Sequence, residues 1–111
     1  MRAKTVVFRG SALDDLRAFP VAARRAAGYQ IDQVQAGRDP DDWKPMASIG
    51  SGVREIRIRE PNGAFRVVYL AKVADTVFVL HCFQKKTEKT SREDVALARR
   101  RFGDLMKELA R

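Results

Sequence analysis

The sequence predicts an α+β fold in which two N-terminal helices and one C-terminal helix pack on an antiparallel four-stranded sheet. Three features predict this class: apolar residues at helical spacing near both ends of the chain, a period of two in the middle, and tight turns between the last three strand segments. The length of 111 residues suits one domain, which we expect to span residues 1–111.

The N-terminal part predicts one strand followed by two helices. Residues 5–9 (TVVFR) are short and β-branched, and Gly10-Ser11 ends this strand and offers Ser11 as the N-cap of a brief helix. Pro20 suits the start of a second helix, whose apolar residues recur at spacings of three and four: Ala23, Ala27, Ile31 and Val34. Residues 38–45 (RDPDDWKP) combine prolines with aspartates, which predicts an irregular connection.

The middle of the chain predicts three antiparallel strands. In residues 53–60 (VREIRIRE) isoleucines alternate with charged residues, so one face should be buried and the other charged and exposed. Pro61-Asn62-Gly63 forms a turn to residues 65–72 (FRVVYLAK), and Ala74-Asp75 forms a second turn to residues 77–83 (VFVLHCF). Strands joined by turns this short are antiparallel.

The C-terminal segment predicts an amphipathic helix. Thr90 and Glu93 have the spacing of a capping box at its start. An apolar stripe follows at helical spacing: Val95, Ala98, Phe102, Leu105, Met106 and Leu109. The predicted order of elements is therefore strand, helix, helix, strand, strand, strand, helix.

The chain is strongly basic. It has 22 lysines and arginines against 14 acidic residues, a net charge of +8 that favours a polyanionic partner. Residues 1–43 have a net charge of only +1, whereas residues 44–111 have a net charge of +7. We therefore expect the binding surface in the second part of the chain.

Other classes of function lack the residues that they need. Cys82 and His81 are the only cysteine and histidine, so the sequence predicts no metal site, and it has no glycine-rich nucleotide loop that would indicate a cofactor. No segment approaches the roughly 20 apolar residues of a membrane span, and residues 1–8 lack a signal-peptide core. We expect a cytoplasmic protein with no membrane partner, since one cysteine also suits a reducing compartment.

Cationic residues concentrate on the predicted sheet and where the chain leaves it. They are Arg57, Arg59, Arg66, Lys85, Lys86 and Lys89. Guanidinium groups match phosphate oxygens in geometry, and lysines add point charge. Arg57 and Arg59 are equally compatible with an ordinary solvated face, whereas Arg66 interrupts an apolar strand and its charge needs a partner.

Two further side chains on these strands have alternative roles. Tyr69 is compatible with stacking on a base and with a place in the core. His81 lies among apolar neighbours, which favours a packed strand histidine over an acid–base group.

Residues 52–59 (GVREIRIR), 63–69 (GAFRVVY) and 80–90 (LHCFQKKTEKT) together resemble the RelE/ParE toxin superfamily, specifically its HigB-like branch of phage-derived proteins. Members are toxins of type II toxin-antitoxin modules, and many cut mRNA on the ribosome. The resemblance spans essentially the whole chain. It implies mRNA and the ribosome as targets, and a cognate antitoxin that we expect to be a small helix-turn-helix protein.

The resemblance also implies roles for individual residues. Arg66, Arg57 and Arg59 match basic positions of the family and are our candidate catalytic residues. Glu55 is a possible base because it shares the face of the strand that carries Arg57. The candidate RNA-binding residues are Lys85, Lys86, Lys89, Tyr69 and Arg54. Some members use a C-terminal histidine or tyrosine that has no counterpart here in residues 91–111, so the general acid stays unassigned.

The predicted activity is metal-independent cleavage of mRNA, in which the ribose 2′-hydroxyl attacks a phosphate held by these cations. Two alternatives remain open at the level of sequence. ParE relatives share the fold and inhibit DNA gyrase without cutting RNA, and a general RNA-binding domain would carry the same charge.

Overall fold

The computed structural model describes residues 3–111, so residues 1 and 2 of the predicted domain lie outside the described residues. Its elements are β1 Thr5–Phe8, α1 Ala12–Arg17, α2 Val21–Gln35, β2 Trp43–Pro45, β3 Arg54–Glu60, β4 Gly63–Val73, β5 Thr76–Lys85 and α3 Arg92–Leu109. The predicted α+β class is confirmed, and each predicted helix and strand is present.

The sheet differs from the predicted one in strand number and in direction. Five strands are present in residues 3–111, in the order β1-β5-β4-β3-β2, rather than four. The extra strand, β2, lies in the segment that we expected to be irregular and pairs antiparallel with β3. A three-residue strand is too short to show a period, and proline is tolerated at a sheet edge.

The sheet is also mixed rather than wholly antiparallel. β1 pairs parallel with β5, with Val6 opposite Val77 and Phe8 opposite Val79. The long connection through α1, α2 and the next three strands allows this pairing, because parallel strands need a long connection between them. Short turns determine the direction of β3, β4 and β5, but they carry no information about β1.

The helices cover opposite faces of the sheet. On one face, here called the α2 face, α1 and α2 pack over Ile56, Ile58, Phe65 and Val67. On the other, here called the α3 face, α3 packs over residues that include Val53, Val68, Leu70, Phe78 and Leu80. β4 and β5 are therefore apolar on both faces, as strands covered on two sides usually are.

The start of α3 differs from the predicted capping box by one residue. Ser91 is the N-cap, and its Oγ accepts a hydrogen bond of 3.1 Å from the backbone N–H of Asp94. Thr90 does not cap the helix. Its Oγ1 instead donates a 2.9 Å hydrogen bond to Oε2 of Glu55. The segment between β5 and α3 is thereby tied to β3.

None of the helices in residues 3–111 has both the length and the apolar character that a membrane span requires.

Candidate functional site

An open groove lies on the α3 face and is lined by residues of β3, β4, β5 and the segment that follows β5. Its volume is about 510 Å³. The cationic residues that line it are Arg57, Arg59, Arg66 and Lys85, and its acidic lining residues are Glu60 and Glu88. We call this feature the cationic groove. It brings together four of the predicted site residues from three neighbouring strands.

The strand register explains why these side chains meet. Arg57 on β3 lies directly opposite Arg66 on β4. Two residues further along, Arg59 lies opposite Ala64, which in turn lies opposite Lys85 on β5. Residues two apart on a strand share a face, so the four cations form two adjacent rows. Like charges directly opposite each other destabilise a sheet, so the pairing of Arg57 with Arg66 lowers the free energy of unfolding unless an anion offsets the repulsion.

The environment of the groove disfavours the protonated forms of two of its cations. Burial lowers the pKa of Arg66, nearby Glu55 opposes this shift, and Arg57 and Arg59 add to it. The pKa of Lys85 is also lowered, by desolvation and then by repulsion from Arg66 and Lys44. A bound phosphate would relieve the repulsion in both cases, because it supplies the missing negative charge.

Glu55 is the buried counter-ion of Arg66. Its side chain is only 1% exposed, and its Oε1 lies 3.3 Å from Nε of Arg66, which is 3% exposed. Arg66 also donates a 3.0 Å hydrogen bond from Nη1 to the carbonyl oxygen of Phe65. The prediction that the charged face of β3 is exposed along its whole length is therefore wrong at Glu55. The reason is tertiary: Thr90, from beyond β5, reaches this carboxylate.

Tyr69 and Arg54 lie on the α2 face, away from the cationic groove. Tyr69 is 2% exposed and belongs to the core under α1 and α2. Arg54 forms a 2.8 Å ion pair with Asp39, and its guanidinium carbon lies 3.8 Å from the ring centroid of Trp43. Neither residue lines the groove that contains Arg66. Tyr69 is three residues from Arg66, an odd number that places it on the opposite face of the strand.

Lys86 and Lys89 follow β5 in the connection to α3. Both are exposed, and neither lines the cationic groove. They follow Lys85 in the chain without being part of the groove wall.

His81 is buried, as the packing interpretation predicted. Its side chain is 7% exposed, and its Nε2 lies 2.7 Å from Oδ1 of Asp94. The same carboxylate accepts a 2.7 Å hydrogen bond from Oγ of Ser91 through its other oxygen. The ring of His81 stacks on Phe83 with 4.9 Å between centroids. His81 therefore contacts the first turn of α3 and does not line the cationic groove.

Comparison with known families identifies the chain. The family described as Phage derived protein Gp49-like matches residues 14–103, which is most of the sequence. The chain belongs to this family. The match confirms the resemblance to the RelE/ParE superfamily and to its branch of phage-derived proteins.

The fold of this Gp49-like protein is also that of a solved toxin structure. The free Escherichia coli toxin RelE, in a mutant form with two arginines replaced by alanine, is 19% identical with a TM-score of 0.64. The match covers 89% of this chain and 97% of that one. At this identity the likeness shows the fold. No curated protein matches the chain.

Sequence reasoning missed two residues beside the groove of this Gp49-like protein. Lys44 on β2 lies opposite Glu55 and therefore on the α3 face, but its strand is too short to show a pattern. Thr90 donates a hydrogen bond to Glu55. The sequence alone does not show this contact, because both Thr90 and Ser91 are suitable N-cap residues for α3 and either could have been left to bond Glu55.

Proposed function

We propose that this protein is a toxin of a type II toxin-antitoxin module that cleaves mRNA on the ribosome. The observation that carries the proposal is the direct juxtaposition of Arg57 and Arg66 in an open groove with Arg59 and Lys85. This arrangement costs stability, and it matches what a phosphodiester needs during cleavage. The family and the RelE-like fold support the same proposal.

The reaction follows from the chemistry of RNA. The ribose 2′-hydroxyl loses its proton and attacks the adjacent phosphorus, the bond to the 5′ oxygen breaks, and that oxygen takes up a proton. The products are a 2′,3′-cyclic phosphate and a 5′-hydroxyl. Negative charge grows on the phosphate oxygens in the transition state, where fixed donors such as Arg57 and Arg66 stabilise it. Removal of one such donor typically costs about 3 to 4 kcal/mol, or roughly 10²- to 10³-fold in rate.

Glu55 supports this chemistry by positioning Arg66 rather than by taking the proton itself. A general base must reach the proton that it removes, and a carboxylate that is 1% exposed behind Arg66 does not offer that reach. Its Oε2 accepts from Thr90, and its Oε1 lies against Arg66. The pair fixes the guanidinium at the floor of the groove, so orientation and electrostatic stabilisation dominate.

The partners follow from the same proposal. mRNA enters the cationic groove, and the ribosome aligns the strand, because Glu55, the carboxylate that contacts Arg66, is buried and does not reach the substrate. A cognate antitoxin, which we propose to be a small helix-turn-helix protein, neutralises the toxin by covering these cations. Acidic side chains on the antitoxin would complement the net charge of +8.

A matched pair of variants tests the proposal. Arg57→Gln/Arg59→Gln removes two groove charges, and Arg24→Gln/Arg25→Gln removes two exposed charges on α2, in the other layer of the molecule. Each protein is induced in cells, and the 5′ ends of mRNA are mapped. The wild type and the α2 control should stop growth and create new 5′-hydroxyl ends, whereas the groove variant should cut at least about 100-fold less.

Two results would contradict this function. One is growth without new mRNA ends when the wild type is induced. The other is equal cleavage by the groove variant and the α2 control, once circular dichroism shows that both are folded.

Inhibition of DNA gyrase is the second candidate. The burial of both Glu55 and His81 favours it, because neither is available as an exposed acid or base. A supercoiling assay with purified gyrase separates the two functions. An mRNA-cleaving toxin should leave supercoiling unchanged, and a gyrase inhibitor should block it without creating RNA ends.

A further inference from the structure

A second, smaller cleft lies on the α2 face, where the end of α2 meets β3 and β4. Its volume is about 140 Å³. Its cationic lining residues are Lys4, Arg38, Arg54 and Lys72, and among the described residues that line it only Asp39 is acidic. We call it the α2-face cleft. It shares no lining residue with the cationic groove, which opens on the other side of the sheet.

Arg54 is held in a fixed orientation at this cleft. Its guanidinium lies over the ring of Trp43, and its Nη1 donates a 2.8 Å hydrogen bond to Asp39. Burial lowers the pKa of Arg54, but interactions with Asp39 and Tyr69 outweigh burial and the net shift is upward. A guanidinium has five N–H donors, so Arg54 retains donors for an oxyanion after these contacts.

Two further groups contribute donors that are already in place. Tyr69 is only 2% exposed, yet it lines the cleft. Burial raises the pKa of Tyr69, while Arg54 opposes the rise, so its phenol stays protonated and able to donate at neutral pH. The ammonium group of Lys4 is anchored by a 2.7 Å hydrogen bond to the carbonyl oxygen of Ala71. Preorganised donors of this kind reduce the cost of binding an anion.

We propose that the α2-face cleft binds a single phosphate group, either from a free phosphate or from the backbone of a nucleic acid. The cleft has four cationic side chains and one acidic side chain, Asp39. This excess of positive charge suits a phosphate, which carries up to two negative charges and several acceptor oxygens, better than it suits a ligand with a single carboxylate. The volume is well below the roughly 300 to 1,000 Å³ of pockets that enclose larger ligands, so it suits one small anion. This site is independent of RNA cleavage in the cationic groove.

Titration of the full ¹⁵N-labelled chain with inorganic phosphate tests the site. Sodium chloride at matched ionic strength is the reference. The backbone amides of Gly37, Gly52 and Ala71 should shift saturably with phosphate and not with chloride. Arg54→Gln should weaken binding about tenfold or more, because it removes charge-assisted hydrogen bonds.

Lys72→Gln is the variant least disruptive to folding, since Lys72 is exposed. It should weaken phosphate binding by about three- to fivefold, which corresponds to one exposed charge. Lys107→Gln removes an exposed charge on α3, away from the cleft, and should leave the affinity unchanged.

A second titration distinguishes the source of the phosphate. A short single-stranded oligonucleotide with 2′-O-methyl ribose and no terminal phosphate cannot be cut by 2′-hydroxyl attack. Shifts of the same three amides at lower concentration than with inorganic phosphate would assign a backbone phosphate. Shifts with inorganic phosphate alone would assign a free phosphate, and both results support the site.

Three results would overturn the site. The first is the absence of saturable shifts at Gly37, Gly52 and Ala71 with either ligand. The second is the same phosphate affinity for the Lys72→Gln and Lys107→Gln variants. The third is a response of these amides to an acidic peptide but not to phosphate, which would assign a protein ligand instead.

Discussion

Replacement of Glu55 by glutamine should strongly destabilise the protein, although it only exchanges one carboxylate oxygen for an NH2 group. Glu55 and Arg66 are 1% and 3% exposed, and their charged atoms lie 3.3 Å apart. Glutamine keeps a carbonyl oxygen that can accept from Thr90, so the substitution mainly removes the negative charge. Arg66 is then buried without its counter-ion and directly opposite Arg57.

The size of the effect follows from this geometry. Removal of one partner from a buried ion pair typically costs about 3 to 5 kcal/mol, since the remaining charge stays desolvated. A domain of this size has a total free energy of unfolding of roughly 5 to 15 kcal/mol. With a slope of about 2 kcal/mol per molar urea, the midpoint of unfolding should fall by about 2 M.

Urea unfolding followed by circular dichroism measures this effect, and Glu93→Gln on the exposed side of α3 is the matched control. The control should lose less than about 1 kcal/mol, the size of an exposed helix-end charge. The double variant Glu55→Gln/Arg66→Gln should be more stable than Glu55→Gln alone, because the unpaired buried charge is gone. A loss below about 1 kcal/mol in Glu55→Gln, or additive effects in the double variant, would refute the buried-pair argument.

Three further predictions test the sheet, the helix cap and the core. Arg57→Gln should raise the free energy of unfolding by about 0.2 to 1 kcal/mol by removing repulsion from Arg66, and a lower urea midpoint would contradict this expectation. Ser91→Ala should cost about 1 kcal/mol and reduce hydrogen-exchange protection of the Asp94 amide, which Thr90→Val should leave protected. Burial raises the pKa of Cys82 from 9.0 to about 12, so the native thiol should resist a disulfide reagent at pH 8 and react only in urea. As the pH rises, the thiol of the unfolded chain ionises at a lower pH than the thiol of the folded chain. The contribution of Cys82 to the free energy of unfolding is therefore complete below pH 9 and should fall by up to about 1.4 kcal/mol per pH unit between pH 9 and 12.

The two cationic sites differ in how their charges are balanced. In the cationic groove the buried counter-ion Glu55 contacts Arg66, and the more exposed carboxylates Glu60 and Glu88 line the groove with the other cations. In the α2-face cleft, Asp39 and Trp43 already hold Arg54. This difference is compatible with the two proposals, in which an anion arrives at and leaves the groove and one phosphate binds stably in the cleft.

Local pattern was sufficient for every helix and strand except β2, and for the strand positions of the arginines in the groove. The helical spacing of Ala23, Ala27, Ile31 and Val34 predicted the buried side of α2, and all four are buried. The alternation in residues 53–60 placed Arg57 and Arg59 together on one face of β3. The turn at residues 61–63 predicted the hairpin that brings Arg66 beside them. These inferences succeed because strand period and turn chemistry act over a few residues.

The sequence by itself determined the α+β class, the basic second half and a set of basic residues that includes the four cations lining the groove. Only the tertiary structure decided that β1 joins the sheet in parallel, that β2 extends its edge, and that Tyr69 and Arg54 face a separate cleft. It also decided that Glu55 is buried against Arg66 and Thr90. These features depend on residues far apart in the chain, and no local period or turn specifies which distant strand or side chain completes a contact.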